Sequence, residues 1–137
     1  MGWFAVKISV DTNVLVRGVV LDDPKQSQTA DKLLKSATVI AVSLSCLCEF
    51  TWVLRKVYKF SSLDVSAAIR ALYATSKVEM NRPAVEAGLS VQDAGGDFAD
   101  GVIAYEGRWL GGETFVSFDK TAVRLVSSQG YESRLLS

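Results

Sequence analysis

Apolar and polar positions come in short blocks that switch between a two-residue and a helical period along the chain. Val6-Lys7-Ile8-Ser9-Val10 alternates strictly and stops at Asp11-Thr12-Asn13, the pattern of a strand ending in a polar turn. A short apolar helix is predicted from Asn13 to Val20. Asp22-Asp23-Pro24 then supplies an N-cap followed by a proline at the first helical position, opening a helix through Leu33 and Leu34. Thr38 to Ser43 is β-branched and apolar, a buried strand, and Ser43 or Ser45 caps a helix that runs through Glu49 and Trp52 to about Tyr58. Ser61-Ser62-Leu63-Asp64 resembles a capping box, with the helix continuing through Ala67 to Tyr73. Val78-Glu79-Met80 reads as a short strand, and Pro83 starts a helix that stops before Gly95-Gly96. The helix from Asp97 to Trp109 is closed by Gly111-Gly112. A strand over Thr114 to Phe118, a helix over Lys120 to Ser127 and a weak strand between Gly130 and Leu136 complete the order. Strands alternating with helices predict a parallel sheet covered by helices, with the functional site beyond the carboxyl ends of its strands.

Composition narrows the chemistry. The 137 residues contain 15 Lys+Arg, 15 Asp+Glu and no histidine. A chain of this length buries about two-thirds of its unfolded surface, enough for one domain over residues 1–137 with a single core. Without histidine there is no Ser-His-Asp triad, no imidazole base and no His-containing zinc site. Acid–base or metal chemistry must run on carboxylates. Cys46 and Cys48, two apart in an apolar run, are too close for an ordinary disulfide framework and too few for a Cys-only zinc site, so they read as reduced, buried thiols. The zero net charge hides +3 over residues 1–60 and −3 over residues 61–137. A hydrophobic content of 49% is high and predicts an apolar surface covered by a second copy or a partner. No apolar run is long enough to span a bilayer and Met1 to Lys7 has no secretion-signal pattern, so the expected location is the cytoplasm.

Five acids fall at the predicted carboxyl ends of strands. Asp11 follows the first strand and Asp119 the fourth. Asp97 and Asp100 stand three apart in the first turn of a helix, hence on one face, and Glu49 lies early in the helix after the second strand. Each has an ordinary explanation by itself: Asp11 and Asp119 as turn or cap residues, Asp97 and Asp100 as complements to the helix dipole, Glu49 as a solvated side chain. Taken jointly they predict a pocket of carboxylates that repel one another unless a cation joins them. An all-oxygen set suits Mg²⁺ or Mn²⁺, and two such ions about 3.5–4 Å apart can support phosphodiester hydrolysis. Asn13 and Ser117 are placed to orient carboxylates and water by hydrogen bonds from outside the metal's own ligands.

Four segments, Asp11-Thr12-Asn13-Val14-Leu15-Val16-Arg17, Cys48-Glu49-Phe50-Thr51-Trp52-Val53-Leu54-Arg55, Asp97-Phe98-Ala99-Asp100-Gly101-Val102-Ile103-Ala104 and Ser117-Phe118-Asp119-Lys120, resemble in order the acidic motifs of PIN-domain proteins, most closely the VapC toxins of bacterial type II toxin–antitoxin systems. The resemblance covers nearly the whole chain. It departs from the usual pattern at Gly101, where Ala is common, and at Ser117, where Thr is common. It implies a three-layer α/β/α fold around a central parallel sheet. It also implies Mg²⁺- or Mn²⁺-dependent endoribonuclease activity, a cognate VapB-type antitoxin and a homodimer. On this resemblance Asp11, Glu49, Asp100 and Asp119 are the family's acidic positions, with Asp97 an additional acid near the metal; Asp11, Asp97, Asp100 and Asp119 are the candidate metal ligands.

Phosphate contacts from the RNA substrate would fall to basic residues around the acids: Arg17, Arg55, Lys56, Lys59 and Lys120. By the same resemblance, Trp52, Leu54, Val57, Tyr58 and Leu72 would line a groove for an antitoxin helix, core packing being the plainer explanation of each. Three other readings compete. A haloacid-dehalogenase-like phosphatase needs a second Asp two residues after Asp11, where Asn13 stands. A receiver domain needs paired acids near its first strand, which are absent here, and it gives Glu49 no role. A PIN-like module that binds RNA or a partner without cleaving keeps the same acids and is distinguished only by assay.

Overall fold

The computed structural model describes residues 6–137, so the expectation for the leading residues Met1–Ala5 lies outside what it describes. The described residues form two compact units, one ending at Met80 and one spanning Asn81–Ser137.

The first unit is built on three short parallel strands, β1 (Lys7–Ser9), β2 (Val39–Ala41) and β3 (Val78–Glu79), in the order β1-β2-β3. Ile8 pairs with Ile40, and Ile40 with Val78. Four helices connect or follow these strands: α1 (Thr12–Val19), α2 (Pro24–Ser36), α3 (Leu44–Lys56) and α4 (Ser62–Tyr73). Their starts follow the capping chemistry of the sequence. Asp11, Asp23, Ser43 and Ser61 each accept a backbone N–H from the residue three positions on, and Pro24 opens α2. The core is drawn from one face of each helix and from the strands, with Val16, Leu47, Phe50, Leu54, Val65, Ile69 and Val78 buried. Leu54 is therefore core, while Trp52 and Val57 are exposed.

The second unit pairs β4 (Thr114–Ser117) with β5 (Glu132–Leu135), again in parallel, Val116 opposite Arg134. Its helices are α5 (Arg82–Asp93), α6 (Phe98–Trp109) and α7 (Lys120–Ser128). Val91, Ala104, Leu125 and Val126 form its core cluster, with Phe115 and Tyr131 packed against it. Helices α5 and α6 approach closely because glycines face the contact: a Cβ on Gly88 would stand 2.7 Å from the Phe98 ring, and one on Gly101 would stand 2.3 Å from the Ala87 carbonyl oxygen. Gly111, at φ +97°, turns the chain out of α6 as the Gly-Gly signal predicts.

Element order and parallel pairing thus agree with the mixed α/β class expected. The pairing is distributed over a three-stranded and a two-stranded sheet among the described residues, a detail that alternation alone does not specify. No helix among them is long and apolar enough to cross a membrane.

Candidate active site

In the first unit, the chain leaves β1 through Val10, whose N–H donates to the Ala41 carbonyl, and turns at Asp11 into α1. The Asp11 carboxylate caps that helix, accepting from the Val14 N–H at 3.2 Å. Thr12, buried directly behind it, sends its hydroxyl to the Cys46 sulfur at 4.0 Å, which ties the start of α1 to the first turn of α3. Burial pushes the Cys46 thiol up, the Thr12 hydroxyl opposes that shift, and the charges of Asp11 and Glu49 add to it. Asp11, at the end of β1, and Glu49, in α3, both lie near enough to the Cys46 thiol for their charges to act on it. Neither cysteine is in a disulfide; Cys46 is buried and Cys48 half-buried.

In the second unit, Asp97 and Asp119 lie near enough to Asp100 for their charges to act on its carboxyl. Asp97 takes the N-cap position of α6 with an extended backbone, yet its side chain makes no capping hydrogen bond. Among the four aspartates at helix N-caps it alone behaves this way; Asp11, Asp23 and Asp119 all cap. Asp100, half-buried in the first turn, has its carboxyl raised above the ordinary carboxylate range, first by burial and then by the charges of Asp97 and Asp119. Asp119 follows β4 and caps α7 through the Ala122 N–H at 3.1 Å, while its own N–H donates to Ser117 Oγ at 3.0 Å. Ser117 thus holds the backbone that carries Asp119. The raised carboxyl of Asp100 is the electrostatic signature of like charges gathered in a partly dry place.

Among the described residues no three acidic or thiol side chains stand close enough together to form a ready-made metal cage. The donors are nevertheless of the kind hard cations take: carboxylate oxygens, with no imidazole in the chain. Mg²⁺ keeps several waters and needs only one or two protein carboxylates, so an open group such as Asp97, Asp100 and Asp119 fits its demands. Asn13 is exposed on α1, two residues from Asp11.

The sequence profile of the PIN domain matches residues 8–125. The chain belongs to the PIN domain family. PIN domains are generally nucleases. No curated protein matches this PIN domain closely enough to count as a relative.

One network escaped the sequence reading. Arg17 of α1 is bound by Asp22 in the α1–α2 turn and donates to the Tyr58 hydroxyl at 2.8 Å; that hydroxyl in turn donates to Asp22 at 3.1 Å. The Tyr58 bond is the largest contribution to a raised Arg17 pKa. The guanidinium is thus an oriented group rather than a free surface charge. No spacing rule links positions 17, 22 and 58, so only the packing of α1 beside α3 reveals it. Arg55 and Lys120 are both exposed, Arg55 in the last turn of α3 and Lys120 at the start of α7, next to Asp119.

Proposed function

We propose that this PIN domain is a metal-dependent endoribonuclease of the VapC type, acting as one domain that hydrolyses RNA phosphodiester bonds. The observation that carries the reading is the PIN family match over residues 8–125; the half-buried Asp100 carboxyl, acted on by the charges of Asp97 and Asp119, supports it. A fold gains nothing in stability from gathering unpaired carboxylates, so the arrangement makes sense when a divalent cation joins them. The reading assigns both acidic groups, Asp11 with Glu49 and Asp97 with Asp100 and Asp119, to the same chemistry. Asp11, Asp97, Asp100 and Asp119 would hold Mg²⁺ or Mn²⁺, and Glu49 would position a water. When bound, such an ion neutralises the acids and polarises the water and phosphate oxygens. In a chain without histidine, the proton leaving the attacking water has only carboxylates to receive it. Arg17, Arg55 and Lys120 would contact phosphates.

Regulation by a VapB-type antitoxin and homodimer formation belong to the same proposal. Exposed apolar side chains support both: Trp52 and Val57 on the first unit, Trp109, Leu110 and Phe118 on the second. A basic antitoxin side chain would neutralise the acids in place of a metal. A cytoplasmic setting follows from such a role.

The deciding experiment is cleavage of single-stranded RNA by purified protein with Mg²⁺, with Mn²⁺ and with EDTA, alongside Asp11→Asn and Asp100→Asn. The expected result is cleavage that needs the metal and is lost in both variants. Cleavage indifferent to EDTA and to both substitutions refutes the proposal, and binding without cleavage favours a non-cleaving PIN module.

A further inference from the structure

A cavity of about 580 Å³ opens beside Asp11, between α1 and α2. Its size lies within the range of about 300–1,000 Å³ typical of small-ligand sites. Val14, Ala30 and Leu33 give it an apolar wall, and Asn13, Gln26 and Thr29 stud that wall with amides and a hydroxyl. The Thr29 hydroxyl is engaged, donating to the Lys25 carbonyl at 3.0 Å. The Asn13 and Gln26 amides make no side-chain hydrogen bond to other described residues, nor does the Lys25 ammonium.

The charges are laid out asymmetrically. Both acids in the lining are occupied as helix caps, Asp11 with the Val14 N–H and Asp23 with the Gln26 N–H. The two cations differ: Lys25 is exposed, whereas Arg17 is held in place by Asp22 and Tyr58. A guanidinium has five N–H donors, so these two partners leave others for an incoming oxyanion. An apolar wall, unengaged amides and an oriented guanidinium suit a group that is flat and apolar on its faces, polar at its edge and anionic at one end.

We propose that this cavity is a subsite for one nucleotide of a single-stranded RNA, its base against Val14 and Leu33, its edge toward Asn13 and Gln26, and its phosphate at Arg17. Single-stranded RNA offers splayed bases whose edges amides can read, and apolar surfaces receive their faces. The proposal rests on the nuclease reading for the choice of RNA as ligand. It adds a preference at one position of the strand next to Asp11. Tyr58 and Asp22 serve it as positioning residues, through Arg17.

The test separates binding from cleavage. A fluorescein-labelled single-stranded RNA of about ten nucleotides, within the site size of comparable binders, is titrated in EDTA and followed by anisotropy. Leu33→Trp, which fills the cavity, and Gln26→Ala, an exposed change that leaves the fold alone, are compared with wild type, each checked by circular dichroism. The expected result is a Kd raised about tenfold by Leu33→Trp and severalfold by Gln26→Ala, the latter unequal among oligonucleotides of different base composition. Wild type that does not bind the RNA, or Gln26→Ala binding every oligonucleotide as wild type does, overturns the subsite; in the second case a protein segment becomes the better occupant. The same samples are then given Mg²⁺. Cleavage by wild type with unchanged affinity in both variants removes the subsite and leaves the nuclease standing. Variant-sensitive binding without cleavage does the reverse.

Discussion

Replacing Gly101 by alanine would restore the residue common in the related motif and, on helix propensity alone, would stabilise α6 by about 1 kcal/mol. The structure reverses that sign. The added Cβ would stand 2.3 Å from the Ala87 carbonyl oxygen and 2.7 Å from the Ala87 carbonyl carbon and Gly88 Cα, all backbone atoms of α5 that no rotamer change can move. A carbon normally keeps roughly 3.3 Å from such an oxygen, so the two helices must separate by about 1 Å. A gap of that size forfeits a quarter to a half of each dispersion contact across it. Overpacking of this kind costs about 1–3 kcal/mol, and the rigid obstacle argues for the upper end. The net loss is about 2 kcal/mol, or roughly a 6 °C fall in Tm for a chain of this size. Differential scanning calorimetry of the metal-free protein reads it directly. Gly107→Ala is the internal control: it lies on the same helix, its Cβ would meet nothing within 4 Å, and it should raise stability by up to about 1 kcal/mol. A Tm for Gly101→Ala equal to or above wild type would refute the packing argument.

Asp100 has a folded-state pKa above its ordinary value, so its charge destabilises the native state at neutral pH, and that penalty is relieved as pH falls through the folded pKa toward the unfolded one. Asp100→Asn should therefore raise the metal-free Tm at pH 7 and steepen the fall of Tm toward acid pH, because the relief that protonation of Asp100 supplies there is lost; a lower Tm at pH 7 contradicts the sign. Mg²⁺ at a hundred times its Kd should add about 2.7 kcal/mol, roughly 8 °C in Tm, reversed by EDTA and absent in Asp100→Asn; equal melting with and without the ion argues against a metal centre. On α3, Phe50→Ala, at a position with no exposed surface, should destabilise by about 3–5 kcal/mol, and Trp52→Ala, at 58% exposure, by no more than about 0.5 kcal/mol; comparable losses in urea melts would show that the burial of this helix is misjudged.

Helix starts were legible because capping is local: Asp23-Pro24, Ser43 and Ser61 signal their helices within four residues. The acids were legible for a similar reason, since a carboxylate after a strand or in a first helical turn has its placement fixed by the element it ends or begins. Three things were not. Alternation predicts parallel strands but carries no information on which edges pair, so the division into β1-β2-β3 and β4-β5 had no sequence signal. Gly101 registered only as a departure from a motif, because the carbonyl it accommodates belongs to another helix. The fixing of Arg17 had no sequence signal, because Tyr58, 41 positions away, reaches it only through tertiary packing.

The carboxylate of Asp97 sits where a helix cap belongs without forming one. A serine or asparagine bonded there would lengthen the life of the folded chain by a contribution of about 1 kcal/mol, and the first turn of α6 goes without it. On the proposed function, thermostability and activity are opposed at this one position. A selection that rewards only resistance to heat should replace Asp97 early, and sequences that keep it in spite of heat are ones in which the acid is still in use.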